Sequence, residues 1–134
     1  MKIINELPPI IDQLLAGGMQ PTRYTLYTYG DTIYNPSGSI LPEDIIVHEG
    51  VHEKQQGVDP DAWWSRFIDD QYFRVDQEVE AYAAQYRFMC KKFKDRNKRS
   101  QILMHYAKTL SSPIYGDVIG TMKAYEMIKN KAGI

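Results

Sequence analysis

Five consecutive residues, His48-Glu49-Gly50-Val51-His52, place two histidines four positions apart, with a glutamate directly after the first. On an α-helix, residues four apart lie on the same face, about one turn from each other. The two imidazoles can therefore bind one metal ion, and zinc accepts such nitrogens at about 2.0–2.1 Å. Glu49 is poorly placed to bind the same ion, but its carboxylate can reach a neighbouring water molecule as a general base.

The residues around this motif favour a helix over residues 42–56. Pro42 suits the first turn, and Glu43 and Asp44 add negative charge where the helix dipole favours it. Gly57 is a typical residue at which a helix ends. The motif therefore has the helical setting that its spacing requires.

Apolar residues spread around the axis of this predicted helix rather than along one stripe, which predicts a helix buried on several sides. These residues are Ile45, Ile46, Val47 and Val51. Gly50 is less favourable than alanine inside a helix by about 1 kcal/mol. We therefore expect another backbone to pass close to Gly50.

A zinc hydrolase usually has three protein ligands and a water molecule, so a third ligand is needed. A long helix is predicted for residues 75–94, and it carries both Glu78 and Glu80. Residues two apart point about 200° from each other, which leaves Glu78 at the edge of the apolar face and Glu80 on a charged strip. A carboxylate that faces inward needs a partner, so Glu78 is the expected ligand. Two alternatives stay open for Glu78: an acid in the first turn, or a pair with Arg74.

The remaining elements complete a domain that we expect to be α+β, mostly helical, with a small antiparallel β-hairpin beside the metal-motif helix. The β-branched and aromatic residues 23–29 and 32–35 flank a tight turn and predict the hairpin. Thr121 is a candidate cap for the last helix. Further helices are predicted at residues 9–16, 61–68, 100–110 and 121–129. A chain of 134 residues suits one domain.

Composition excludes several classes of function. The net charge of −1 gives no reason to expect nucleic acid or an anionic membrane as a partner. No apolar run is long enough for a signal peptide or a transmembrane helix, so we expect a cytoplasmic protein. Cys90 is the only cysteine, and its place in an apolar helical pattern predicts a buried structural thiol. Of Trp63 and Trp64, we expect either one in the core and the other beside a groove, or both packed in the core or at its rim.

The pattern His48-Glu49-x-x-His52 followed by Glu78-x-x-Ala81 resembles the gluzincins, zinc metallopeptidases with two histidines and one glutamate as ligands. The resemblance covers about residues 42–85. Within these residues the pattern also resembles the small zincin-like proteins that are common in phage and prophage genomes. It implies a zincin-like domain in which Glu78 is a ligand and Glu49 the base. It also implies an edge strand above the motif helix that receives an extended substrate, and the hairpin at residues 24–35 is in the right order to supply it.

One departure from the gluzincin pattern concerns the support of the metal ligands. In several gluzincin families an acid that supports a histidine ligand sits near the position that Tyr82 holds here. The resemblance therefore leaves the partner of that histidine unassigned, and such partners matter for metal affinity.

The sequence predicts a zinc-dependent metallopeptidase that acts on a peptide or protein, as a monomer or weak oligomer. Tyr115 and His105 follow the ligand helix and are candidates to stabilise the oxyanion, although packing alone explains Tyr115 and a place on a helix face explains His105. Two other classes stay open. One is a non-catalytic zincin-like zinc-binding module with a structural or protein-interaction role, and the other is a helical domain with a chance match.

Overall fold

A computed structural model describes residues 1–134 as six α-helices and three short strands, which confirms the expected α+β class. The strands are β1 (Lys2–Ile4), β2 (Tyr27–Tyr29) and β3 (Thr32–Tyr34). The helices are α1 (Ile11–Ala16), α2 (Glu43–Gln56), α3 (Pro60–Asp69), α4 (Gln71–Lys92), α5 (Arg96–Leu110) and α6 (Thr121–Ala132). A single 3₁₀ turn, Pro113–Tyr115, lies between α5 and α6.

The sheet has the order β1-β3-β2, so β2 is an edge strand. The predicted hairpin is formed by β2 and β3, whose antiparallel register places Thr28 opposite Ile33. The sheet is mixed rather than a hairpin alone, because β1, which the sequence did not indicate, adds a parallel strand with Ile3 opposite Ile33. Three residues that are largely exposed carry too little alternation to predict such a strand.

Helix α4 begins before the predicted residue 75 because Asp70 caps it. The Asp70 carboxylate accepts hydrogen bonds from the backbone N–H groups of Tyr72 and Phe73. Thr121 does not cap α6, contrary to expectation. Its hydroxyl instead lies 2.8 Å from that of Ser111, so the side chain ties α6 to the end of α5.

Helix α2, which carries the metal motif, buries its polar residues and leaves its apolar ones half-exposed. The buried residues are His48, Glu49, His52 and Gln56. This inverts the expected pattern, because the faces of α2 that pack against α4 and β2 are polar. The expected close approach at Gly50 is also wrong, since a Cβ atom there would meet nothing within 4 Å.

Two apolar clusters flank the motif helix. The first joins α4, α5 and α6 around Leu103, Leu110 and Ile128. The second joins α1, α3 and β2 and includes both Trp63 and Trp64, which are 6% and 5% exposed. The metal motif therefore lies between the two clusters.

Cys90 is a free thiol buried in the α4 core, as the sequence predicts. The helices of this fold lack the combination of length and apolar character that a bilayer crossing requires.

Candidate metal centre

Three side chains from two helices converge on one point between α2 and α4. The Nε2 atoms of His48 and His52 lie 3.2 Å apart. The two oxygens of Glu78 each lie 3.1 Å from one of these nitrogens. Ligands of a tetrahedral zinc ion, at their usual bond lengths, are about 3.3 Å from one another. The spacing of these three buried groups therefore fits a metal ion with three protein ligands.

Two glutamines fix which ring nitrogen of each histidine faces that point. The Nδ1 atom of His48 lies 2.9 Å from Oε1 of Gln85, and Nδ1 of His52 lies 2.8 Å from Oε1 of Gln55. The Gln85 amide donates to Oδ2 of Asp44 at 2.8 Å, and the Gln55 amide donates to the carbonyl of Gln77 at 3.0 Å.

These contacts decide the direction of the hydrogen bonds, because a carboxylate or a backbone carbonyl only accepts. The amide nitrogens of both glutamines must face Asp44 and Gln77, so their oxygens face the histidines. Each imidazole then donates from Nδ1, and in its neutral form each presents the lone pair of Nε2. Two lone pairs and one carboxylate thus meet at the shared point, which is an arrangement that attracts a cation.

In the protein without metal, the charges of the clustered side chains also favour a cation between them. Burial alone would lower the pKa of His52, but the carboxylates of Glu78 and Glu49 raise that pKa to about 9. Burial likewise opposes ionisation of Glu78, yet His52 and His48 hold the pKa of Glu78 well below its usual range. The site therefore keeps an ionised carboxylate beside a proton on His52, and the same three groups could hold a metal ion.

The alternatives for the third ligand are decided by the same geometry. Glu80 is exposed and accepts a hydrogen bond from Gln55 at 3.2 Å, away from the histidines. Arg74 donates to the backbone carbonyls of Phe67, Ile68 and Tyr115 rather than to Glu78. Glu78 also lies well inside α4, so the reading of it as an acid in the first turn is wrong.

Glu49 lies beside the three clustered groups but is not one of them. Its Oε2 atom is 3.7 Å from Nε2 of His48, and its Oε1 accepts a hydrogen bond of 2.9 Å from the hydroxyl of Thr28. Glu49 and Thr28 are both buried. The sequence did not indicate Thr28, because a threonine in a strand is ordinary and its partner on α2 depends on how the hairpin docks.

Tyr115 lies in the 3₁₀ turn with its hydroxyl 3.1 Å from that of Tyr82. Burial, reinforced by the charge of Glu78, raises the pKa of both phenols well above the usual value, so both remain protonated donors. Tyr82 packs its ring edge-to-face on His48, with ring centroids 4.4 Å apart. Gln85, about one turn further along α4, forms the hydrogen bond to His48 whose partner the sequence left unassigned.

Two pockets open on either side of the metal cluster. The smaller has a volume of about 50 Å³ and an apolar lining that includes both tryptophans and Phe67. The larger has a volume of about 380 Å³, and the exposed His105 of α5 contributes to its wall. His48, Glu49, Leu26 and Tyr115 line both pockets. The cluster therefore lies at the floor of a cleft between the segment before β2 and the 3₁₀ turn.

The two tryptophans have separate roles in this cleft. The Trp63 ring lies 5.3 Å from that of His52, and Trp64 donates from Nε1 to the carbonyl of Thr28 at 2.9 Å. Both tryptophans are buried in the second apolar cluster, which confirms the expectation that both pack in the core, and both also line the smaller pocket.

Comparison of the chain with known protein families, with curated proteins and with solved structures finds no match in any of the three.

Proposed function

We propose that this chain is a zinc-dependent metallopeptidase of the gluzincin type, with a zincin-like domain. The observation that carries the proposal is the convergence of His48, His52 and Glu78 at one buried point, with Glu49 beside it and a cleft above it. A site with two imidazoles and one carboxylate suits zinc in the form found in hydrolases, which keep a further position for water.

When bound, zinc supplies Lewis acidity, which makes water more acidic and polarises a carbonyl group. Glu49 then accepts the proton of the attacking water molecule, whose oxygen forms a bond to the peptide carbonyl carbon. As the C–N bond breaks, Glu49 passes that proton to the leaving amine. Thr28 holds the Glu49 carboxylate in place through its hydroxyl hydrogen bond of 2.9 Å.

Tyr115 is the proposed donor to the oxyanion that develops on the substrate. Its phenol stays protonated, it borders the cleft, and it is supported by Tyr82. Preorganised donors of this kind stabilise charge that appears only in the transition state. His105 is exposed on α5 at the outer part of the larger pocket, so we assign it no role in the reaction.

The test is peptide hydrolysis by protein that has been loaded with zinc, with Glu49→Gln as the matched variant. We expect the wild type to cleave members of an unstructured peptide library. Glu49→Gln keeps the shape of the side chain and the zinc content, but it loses the base, so its kcat falls by at least about 10²-fold. If neither the wild type nor Glu49→Gln hydrolyses any peptide while zinc stays bound, the peptidase proposal is contradicted.

That contrary outcome defines the second candidate, a zincin-like module that binds zinc without catalysis. Its support is that side chains of the protein already occupy part of the β2 edge beside the site. In that case Glu49→Gln would leave the biological activity of the chain unchanged, whereas loss of Glu78 would abolish it.

A further inference from the structure

The charged residues of the chain are divided unevenly along its length. Residues 1–86 contain 5 lysines and arginines against 14 acids, whereas residues 87–134 contain 11 against 3. The net charge of −1 therefore combines an acidic part of charge −9 with a basic part of charge +8. The basic part forms the C-terminal end of α4 and all of α5 and α6. Its electrostatic field attracts a negatively charged partner to these helices.

One face of α5 carries a row of four exposed polar and basic side chains. At about 100° per residue, their positions fall within about 80° of the helix circumference. We call this row the α5 stripe, and its members are Lys98, Gln101, His105 and Lys108. Neither lysine of the stripe forms an ion pair with an acid of the protein. Their charges are therefore available to a partner.

The α5 stripe borders two further pockets outside the cleft. The first has a volume of about 280 Å³, and Lys98, Gln101 and His105 form part of its wall. The second has a volume of about 400 Å³ and is bordered by Gln101, His105 and Lys108. His105 also lines the larger pocket of the cleft, together with His48. The larger pocket therefore continues along α5 as a groove that we call the α5 groove.

Asp44 is the only acid that lines these two outer pockets. Its Oδ2 atom already accepts hydrogen bonds from Gln85 at 2.8 Å and from Tyr106 at 3.1 Å. Asp44 also lines the larger pocket, so it lies where the α5 groove begins, whereas Lys108 borders only the outermost pocket. An acidic group is therefore repelled at the start of the groove and attracted further along it.

We propose that the α5 stripe binds an acidic segment of the peptide substrate, several residues away from the bond that is cut, an inference that rests on the proposed peptidase function. The support is charge complementarity together with the continuity of the α5 groove and the cleft. A bound zinc ion adds positive charge at the metal point, but that charge acts on the substrate residues nearest the scissile bond. The stripe acts on residues further along the peptide.

A short acidic segment fits this surface better than a nucleic acid does. The phosphate backbone of a nucleic acid carries charge along its whole length. A strand that entered the cleft from the α5 groove would reach the acidic part of the chain, with its charge of −9. An acidic segment limited to the groove meets only the lysines of the stripe and Asp44.

The first experiment uses zinc-loaded wild-type protein and a neutral peptide that it cleaves. A pair of glutamates is moved stepwise away from the scissile bond, on either side. We expect kcat/KM about three- to tenfold above that of the neutral peptide when the pair lies several residues away on one side. This advantage should vanish when the ionic strength rises from about 0.01 M to about 1 M, because the Debye length falls from about 30 Å to about 3 Å.

Two results of this series would overturn the inference and leave the peptidase intact. One is an equal kcat/KM for the neutral peptide and every acidic peptide. The other is an advantage confined to glutamates beside the scissile bond, since that is the effect expected of the zinc ion alone.

The second experiment removes the charges of the stripe with Lys98→Gln/Lys108→Gln. The control, Lys123→Gln/Lys129→Gln, removes the same charge from exposed positions of α6 outside the groove. We expect the ratio of kcat/KM for acidic and neutral peptides to fall to about one in the first variant and to keep its wild-type value in the control. Lys98→Glu/Lys108→Glu should instead favour peptides with lysines in place of the glutamates. A wild-type ratio in all three proteins would overturn the role of the stripe.

A third measurement does not depend on turnover. Fluorescence anisotropy should show that a dye-labelled acidic peptide binds zinc-loaded Glu49→Gln protein about three- to tenfold more tightly than the neutral peptide, and that Lys98→Gln/Lys108→Gln abolishes the difference. Equal affinities would overturn the inference, as would a duplex DNA of about 20 base pairs that competes at least as well as the acidic peptide. If zinc-loaded wild type cleaves no peptide, the peptidase proposal fails, and this binding measurement alone decides whether the stripe binds acidic peptides.

Discussion

At the scale of single residues, the orientation of the two histidines depends on two glutamines, Gln85 and Gln55. Gln85 is 1% exposed and links His48 to Asp44, which also accepts a hydrogen bond from Tyr106. Gln55 links His52 to the backbone of α4. These links keep Nδ1 as the donor in both rings, so Nε2 of each ring is left for the proposed metal ion.

Gln85→Leu removes the acceptor for His48 while keeping a side chain of similar size. We expect zinc affinity to fall by about 10- to 100-fold, as is usual when the partner of a histidine ligand is lost. Competition with a chromophoric chelator measures this, with Gln101→Leu as the control. Unchanged affinity in a folded Gln85→Leu protein would show that Gln85 does not orient the ligand.

The raised pKa of His52 predicts how the metal-free protein depends on pH. The folded value of about 9 exceeds the ordinary value of 6.5, so protonated His52 stabilises the fold fully below pH 6.5. This stabilisation is lost as the pH rises from 6.5 through about 9. In a chelating buffer, Tm should therefore fall across this range. Protein with saturating zinc should show a smaller fall, because the metal takes the place of the proton. Parallel curves for the two forms would contradict the assignment.

At the scale of elements, the helices were largely predictable from the sequence, whereas the contacts between them were not. The position of Glu78 on the inner face of α4 follows from helical angles, and the structure buries it to 3% exposure. Gln85 and Thr28 were missed because their partners lie on other elements, and Gln55 was missed because its orientation depends on the carbonyl of Gln77 on α4. Strand β1 was missed because its pairing with β3 is not local. Local pattern predicts a helix face, but only the docked fold shows which polar groups meet on it.

Asp70 begins the helix that carries Glu78, so it affects stability without touching the site. Asp70→Ala should lower the free energy of unfolding by about 1 kcal/mol, because the caps to Tyr72 and Phe73 are lost. Chemical denaturation measures the change, and Asp69→Ala, at an exposed neighbour, is the control. Zinc affinity should remain at the wild-type value. A loss of zinc affinity as large as that of Gln85→Leu would mean that the start of α4 also positions Glu78.

At the scale of the whole molecule, the side chains of His48, His52 and Glu78 join α2 to α4, and this contact lies between the two apolar clusters. The polar face of α2 is stable in that position because each buried side chain has a partner, and the structure leaves no buried polar side-chain atom unpaired. A cation that replaces the proton on His52 would be bound by side chains of both α2 and α4 and would therefore link the two helices. Binding of zinc at 100 times its Kd would stabilise the fold by about 2.7 kcal/mol.

The most direct test of the metal centre is X-ray absorption at the zinc edge on protein that is purified without chelator. The account predicts one zinc ion per chain, with two imidazole nitrogens at about 2.0–2.1 Å and a carboxylate oxygen at about 2.0–2.2 Å. Glu78→Gln should alter the oxygen contribution and lower the zinc content. A zinc site with a sulfur ligand, with a single imidazole, or with the same spectrum in Glu78→Gln would contradict the centre formed by His48, His52 and Glu78, as would protein that takes up no zinc.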